Sequence, residues 1–177
     1  MSESPTAEFA VLLSAEQIQK RISELGRQIS DRYRGRKLHV ICVLENSFIF
    51  AADLLRHIAV PTVVQFVKPT ISETDEIIEI FFTPEVEVAG ADVLLLEALV
   101  GSGATTEFLV RNLYGRGAKS VKVAALLDKR AERRVPVQLD YFGFQMDESY
   151  VVGYGLEDPY RNLPFLGTRP AGAAAGE

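Results

Sequence analysis

Residues 92–127 read DVLLLEALVGSGATTEFLVRNLYGRGAKSVKVAALL, and this stretch decides the fold class. Residues 92–99 are a short, almost wholly apolar run, as expected of a strand buried on both faces of a parallel sheet. Gly101-Ser102-Gly103 then turns the chain into a predicted helix over residues 105–114, which Gly115 and Gly117 stop. Residues 120–127 are a second buried strand. Strand, glycine-rich turn, helix and strand make a βαβ unit, whose crossover is expected to be right-handed. The two glycines let successive N–H groups converge, and the positive end of the following helix points at the same place. With the hydroxyls of Ser102, Thr105 and Thr106, and with Ala104 between them, residues 101–106 are a candidate cradle for a monophosphate. Most GxG turns merely connect a strand to a helix. Position at the carboxyl end of a buried strand is what favours phosphate here.

Working outward, Ser14 with Gln17 matches a capping box, and Ile18, Ile22, Leu25 and Ile29 recur at helical spacing. A helix over residues 15–33 is expected, ended by Gly35. Residues 38–44 (LHVICVL) and 62–67 read as further strands. Between them Ser47 is a candidate cap for a helix over residues 48–58, with Phe48, Ala51, Ala52 and Leu55 on one face. Residues 69–90 break the pattern, mixing Ile77, Ile78, Ile80, Phe81 and Phe82 with acidic residues, and predict an antiparallel excursion or hood. Residues 138–142 and 150–154 are expected to finish the sheet or its flap. The sum is one α/β domain over residues 1–177, an open, mainly parallel twisted sheet flanked by helices, with a small hood. Residues 1–12 and 168–177 are expected to be flexible tails. Ligands belong at the carboxyl ends of the strands.

A net charge of -5 and a pI near 5.2 disfavour a polyanionic partner such as RNA, and the basic cluster Lys129-Arg130 with Arg133-Arg134 lacks aromatic interleaving. That cluster taken alone is a solvated turn. The single cysteine, Cys42, sits in an apolar run and reads as core, and no disulfide is available. No apolar stretch is long enough to span a membrane and no secretory leader is recognisable, which makes cytoplasmic the expectation. His39 and His57 have no partner spacing that suggests metal, and structural roles are expected for both. Glu97 differs, because a carboxylate near the end of a buried apolar strand is costly unless it has a task.

Residues 94–106 resemble the phosphoribosyl-pyrophosphate signature of type I phosphoribosyltransferases. Leu25-Gly26-Arg27-Gln28-Ile29, the run from Ser47 to Leu54 (SFIFAADL), Leu126-Leu127-Asp128-Lys129, Tyr141-Phe142-Gly143-Phe144, Val151-Val152-Gly153-Tyr154-Gly155 and Tyr160-Arg161-Asn162-Leu163-Pro164 resemble the bacterial hypoxanthine-guanine phosphoribosyltransferases. The resemblance implies joining of a purine to phosphoribosyl pyrophosphate, with magnesium, to give IMP or GMP and pyrophosphate. It also implies that residues 101–106 hold the 5′-phosphate, that Lys129 meets the purine 6-oxo group, and that Tyr150 and Val151 contact the base. Glu97 would serve ribose and metal, Glu157 would lie near magnesium, and Arg161 would meet pyrophosphate. A homo-oligomer, dimer or tetramer, is the family's habit.

Departures from the family pattern gather at the same site. Ala98 replaces the second acid of an acidic pair, and Gly101 stands where the family places an Asp proposed as general base. Glu45-Asn46 occupies a pyrophosphate loop that usually carries a cation. The Ser-Tyr pair of the mobile loop is not visible near residues 68–72, and that loop looks shortened. The segment from Glu157 to Arg161 is also shorter than usual. Loss of a positioned base costs about 10²- to 10⁴-fold in rate. The resulting expectation is a protein that binds a purine nucleoside 5′-monophosphate with catalysis weak or lost. The alternative is a competent enzyme.

Overall fold

The computed structural model describes residues 9–71, 77–83, 86–148 and 150–168. Six strands form the main sheet in the order β4-β3-β2-β5-β6-β7. They are β2 (Leu38–Val43), β3 (Thr62–Ile71), β4 (Ile77–Thr83), β5 (Asp92–Val100), β6 (Ser120–Asp128) and β7 (Tyr141–Gln145). β3, β2, β5, β6 and β7 run parallel, and β4 turns back antiparallel on β3. The expected antiparallel excursion is therefore the pairing of β4 on β3, with residues 72–76 and 84–85 outside the described residues.

Both faces of the sheet are covered, for a reason visible in the alternation of β5. Leu94, Leu96 and Ala98 point to one face, with Val40, Cys42 and Leu126, and pack beneath α1 (Ala15–Arg32) and α2 (Phe48–Arg56). Val93 and Leu95 point to the other, with Ile41, Val121 and Val123, and pack beneath Leu109 and Leu113 of α3 (Ala104–Gly115). A strand covered on both sides must be apolar at every position, which is why 92–100 shows no period of two. Cys42 belongs to this interior, and burial pushes its thiol up to about 12, so it is an inert packing residue.

α1 begins as expected, with Ser14 Oγ accepting from Gln17 N at 3.3 Å and Gln17 Oε1 accepting from Ser14 N at 2.8 Å. It meets α2 closely at Gly26, where a Cβ would lie 2.4 Å from the Cβ of His57. α2 departs from expectation twice. Ser47 makes no cap, since its backbone is already helical and its hydroxyl donates back to the Val43 carbonyl. The buried face is Phe50, Ala51 and Leu54, while Phe48 is exposed.

The chain ends also differ. β1 (Ala10–Leu13) pairs antiparallel with β8 (Leu166–Thr168), so the loose tail expected over residues 1–12 is ordered from Ala10, and Thr168 is in a strand. Residues 1–8 and 169–177 lie outside the described residues. The predicted strand at 150–154 is instead a looped segment in which Val152 bridges Gly167 and Gly153 bridges Leu156. Tyr154 anchors it by donating its hydroxyl to Asp53 of α2 at 2.5 Å. Among the described residues, no helix is long and apolar enough to cross a membrane.

Candidate functional site

The carboxyl ends of β2, β3, β5 and β6 open on a cavity of about 450 Å³. Residues far apart in sequence line it: Glu45 and Asn46 after β2, Lys68 on β3, Glu97 and Ala98 on β5, Thr105 on α3, Lys129 after β6, and Tyr150, Val151 and Glu157 from the looped segment. Seven sequence candidates (Glu97, Ala98, Thr105, Lys129, Tyr150, Val151 and Glu157) thus share one cleft. Lys129 and Val151 are each only 5% exposed, whereas Tyr150 is 39% exposed at the edge. The Tyr150 carbonyl accepts from Thr168 Oγ1 at 2.7 Å, which ties this wall to β8.

Glu97 is the most unusual group. Its carboxyl is buried, its Oε1 has no hydrogen-bond partner, and burial pushes its pKa up to about 7, against smaller opposing effects from a Thr106 hydrogen bond and the Arg133 charge. A buried carboxyl oxygen without a partner is costly, and the residue that carries it lines the cavity. The buried Thr106 side chain, part of the candidate phosphate turn, is hydrogen-bonded to Glu97.

The turn at 101–105 is held in place from the next loop. Gly103 has φ 86°, and a Cβ there would collide with Val137 at 2.5 Å and the Val135 carbonyl at 2.6 Å, so both backbone angle and close approach require glycine. The Ser102 carbonyl accepts from the backbone N–H groups of Arg134 and Val135 at 3.0 and 2.9 Å. Arg133 donates to the Gly101 carbonyl at 2.9 Å and to buried Asp128 at 2.7 Å. Ser102 itself opens on an adjoining cleft of about 500 Å³ shared with Arg133 and Arg134. Arg133 is thus no solvated surface residue. The signal in the sequence was Asp128, an acid closing an apolar strand just before the arginines.

At the opposite wall, Glu45 follows a cis Leu44–Glu45 peptide and is paired with Lys68 at 2.5 Å. Arg161 donates to Asn46 Oδ1 and to the Gly155 carbonyl, both at 2.6 Å, and to Asp158 at 2.8 Å, with Glu45 4.0 Å away. The shorter 157–161 segment still delivers Arg161 to the 45–46 loop. Glu157 adopts φ 56°, a left-handed conformation uncommon outside glycine. Lys68 through Ile71 belong to β3, and the missing Ser-Tyr pair falls partly on residues 72–76, outside the described residues. No group of three or more His, Cys, Asp or Glu side chains among the described residues is arranged to hold a metal ion.

Residues 11–159 match the Phosphoribosyl transferase domain family. The hypoxanthine-guanine phosphoribosyltransferase of Mycobacterium avium is 40% identical over 171 residues, covering 90% of this chain and 84% of that protein. The chain belongs to the hypoxanthine-guanine phosphoribosyltransferase family. The Bacillus subtilis hypoxanthine-guanine phosphoribosyltransferase is 36% identical, covering 91% of this chain and 93% of its own. A solved hypoxanthine phosphoribosyltransferase from Staphylococcus aureus superposes with a TM-score of 0.88 at 31% identity, covering 97% of this chain and 98% of that one. Within this phosphoribosyltransferase frame, Lys129, Tyr150, Val151, Glu97, Ala98 and Glu45 line the cleft, and Arg161 stands 4.0 Å from Glu45.

Proposed function

We propose that this chain holds a purine nucleoside 5′-monophosphate in the cavity and carries out phosphoribosyl transfer between a purine and phosphoribosyl pyrophosphate slowly. The observation that carries the reading is the convergence of buried Lys129, Val151 and the partnerless Glu97 oxygen on one cleft beside the 101–105 turn. Lys129 would donate to the purine 6-oxo group, Tyr150 would stack on the base, and the Val151 backbone would meet its edge. The 101–105 turn and the Ser102 cleft would take the 5′-phosphate, and the free Glu97 oxygen suits a ribose hydroxyl.

Magnesium is usually held by one or two carboxylates plus substrate phosphates. Glu97 and Glu157 fit that part and Ala98 does not, so the ion would be held weakly. It would supply charge neutralisation at the leaving pyrophosphate. Slowness rests on Ala98 and Gly101, which each remove a carboxylate from the family pattern. A cytoplasmic homo-oligomer, dimer or tetramer, goes with this reading on family habit alone. Sedimentation at tens of micromolar that gives a monomer would remove the oligomer.

Titration calorimetry with IMP, GMP and phosphoribosyl pyrophosphate, each with and without magnesium, tests the reading. The expected order is nucleotide tighter than the pyrophosphate compound, and the reverse order defeats it. A second reading, full competence, is favoured by Lys68 and Arg161 lying around Glu45, which partly neutralise its charge. A turnover near the common enzyme rate of about 10 s⁻¹ would establish that reading instead.

A further inference from the structure

The space that a side chain at position 101 would fill is not empty. A Cβ placed on Gly101 would meet Glu132 Oε2 at 2.8 Å. Glu132 ends the short 3-10 turn Arg130–Glu132 that follows Lys129, and its other oxygen accepts from Lys129 Nζ at 3.1 Å. One carboxylate therefore touches the cavity lysine and also stands where an acidic side chain on the 101–105 turn would begin. Gly101 is not among the glycines with positive φ, so its backbone does not demand glycine. What glycine does there is leave room for Glu132.

The arrangement is held on both sides. The Glu132 N–H donates to the Lys129 carbonyl at 3.1 Å, and its neighbour Arg133 bonds the Gly101 carbonyl at 2.9 Å. The two segments cannot drift apart without breaking the Arg133 bonds to both Gly101 and Asp128. The other carboxylates nearby are buried. Asp128 is buried against Arg130 and Arg133 at 2.8 and 2.7 Å, and Glu97 is 6% exposed and engaged with Thr106. The Glu132 side chain keeps 46% of its surface open and lines the Ser102 cleft, with its Oε1 on the Lys129 amine that lines the cavity.

We infer that Glu132 is a catalytic residue, the proton acceptor for the purine, supplied from the loop after β6 in place of an acid at position 101. The inference rests on the reading that this cavity transfers a phosphoribosyl group. In the step, the Glu132 carboxylate takes the imidazole N–H proton of a purine whose 6-oxo group is on Lys129. The N9 lone pair forms the bond to ribose C1′, and the C1′–O bond breaks with its electron pair leaving on pyrophosphate. The proton held by Glu132 passes to water as product leaves.

The test uses the full chain with hypoxanthine, phosphoribosyl pyrophosphate and magnesium, reading kcat, both KM values and IMP affinity by calorimetry. Glu132→Gln is expected to lower kcat by about 10²-fold, the lower end of what a positioned base contributes, while IMP affinity stays within about threefold. Gly101→Asp combined with Glu132→Ala is expected to recover at least about tenfold in kcat over Glu132→Ala alone. An unchanged kcat in Glu132→Gln overturns the inference alone. So does a loss confined to purine KM and IMP affinity, which would make Glu132 only a support for Lys129. Absence of rescue by the double variant also overturns it. A parent protein with no turnover at all overturns the transferase reading itself, and is recognised because it precedes any variant.

Discussion

The two walls of the cavity are built on different principles. One wall uses buried groups: Lys129 after β6 and Val151 of the looped segment at 5% exposure, Glu97 on β5 at 6%, and a glycine turn pinned by Arg133. The opposite wall uses charges that already satisfy one another: Glu45 with Lys68, and Arg161 with Asp158. On the first wall a ligand meets preorganised groups and Glu97 still lacks a partner. On the second it must displace an ion pair before it gains one. That difference is the physical basis of the proposed preference for the nucleotide over the pyrophosphate compound.

The largest effect expected from this contrast is on stability and its pH dependence. Burial raises the folded-state pKa of Glu97 to about 7 from an ordinary value of 4.5, so the folded protein binds this proton more tightly than the unfolded chain does. The corresponding stability is fully present below about 4.5 and is lost as pH rises through about 7. In metal-free buffer, Glu97→Gln should therefore gain up to about 3 kcal/mol over the parent at pH 8 and almost nothing at pH 4.5. Chemical denaturation at the two pH values measures this, and an equal difference at both would mean that Glu97 is not held protonated.

Lys129→Met keeps the length and apolar stem but removes the donor. IMP affinity should fall by roughly 10- to 100-fold, the worth of a hydrogen bond from a charged group. Calorimetry showing no loss would separate the purine wall from Lys129. Glu45→Lys probes the other wall, and should tighten phosphoribosyl pyrophosphate by about tenfold at low salt, with the gain shrinking as salt rises. IMP affinity should barely move. If both ligands respond equally, the two walls are not separate binding regions. The smallest effect is expected from Glu45→Gln on thermal unfolding: the exposed Lys68 pair is open to solvent, and the melting temperature should not shift measurably.

Much of this was legible in the sequence because it follows from local pattern. The stripe Ile18, Ile22, Leu25, Ile29 and the Ser14–Gln17 box dictated α1, and the apolar runs dictated β2, β5 and β6. Glu97, a carboxylate within such a run, stood out from the pattern, and it lines the cavity. The misreadings share a cause. Phe48 sits at the start of a short helix whose buried face is chosen by the sheet beneath it, and four apolar residues at 10–13 carry no period that distinguishes a paired ribbon from a tail.

Sequence alone determined the doubly covered sheet and the turn at its centre, because burial on two faces imposes an apolar run and a close-packed turn imposes glycine. Tertiary structure alone decided who stands beside whom at the strand ends. Glu132 beside Gly101, Arg133 on the Gly101 carbonyl, Lys68 against Glu45 and Arg161 over Asn46 join residues on separate segments. No periodicity encodes such pairs, since each depends on loop paths converging in space and on charges choosing partners only once the sheet has brought them within reach.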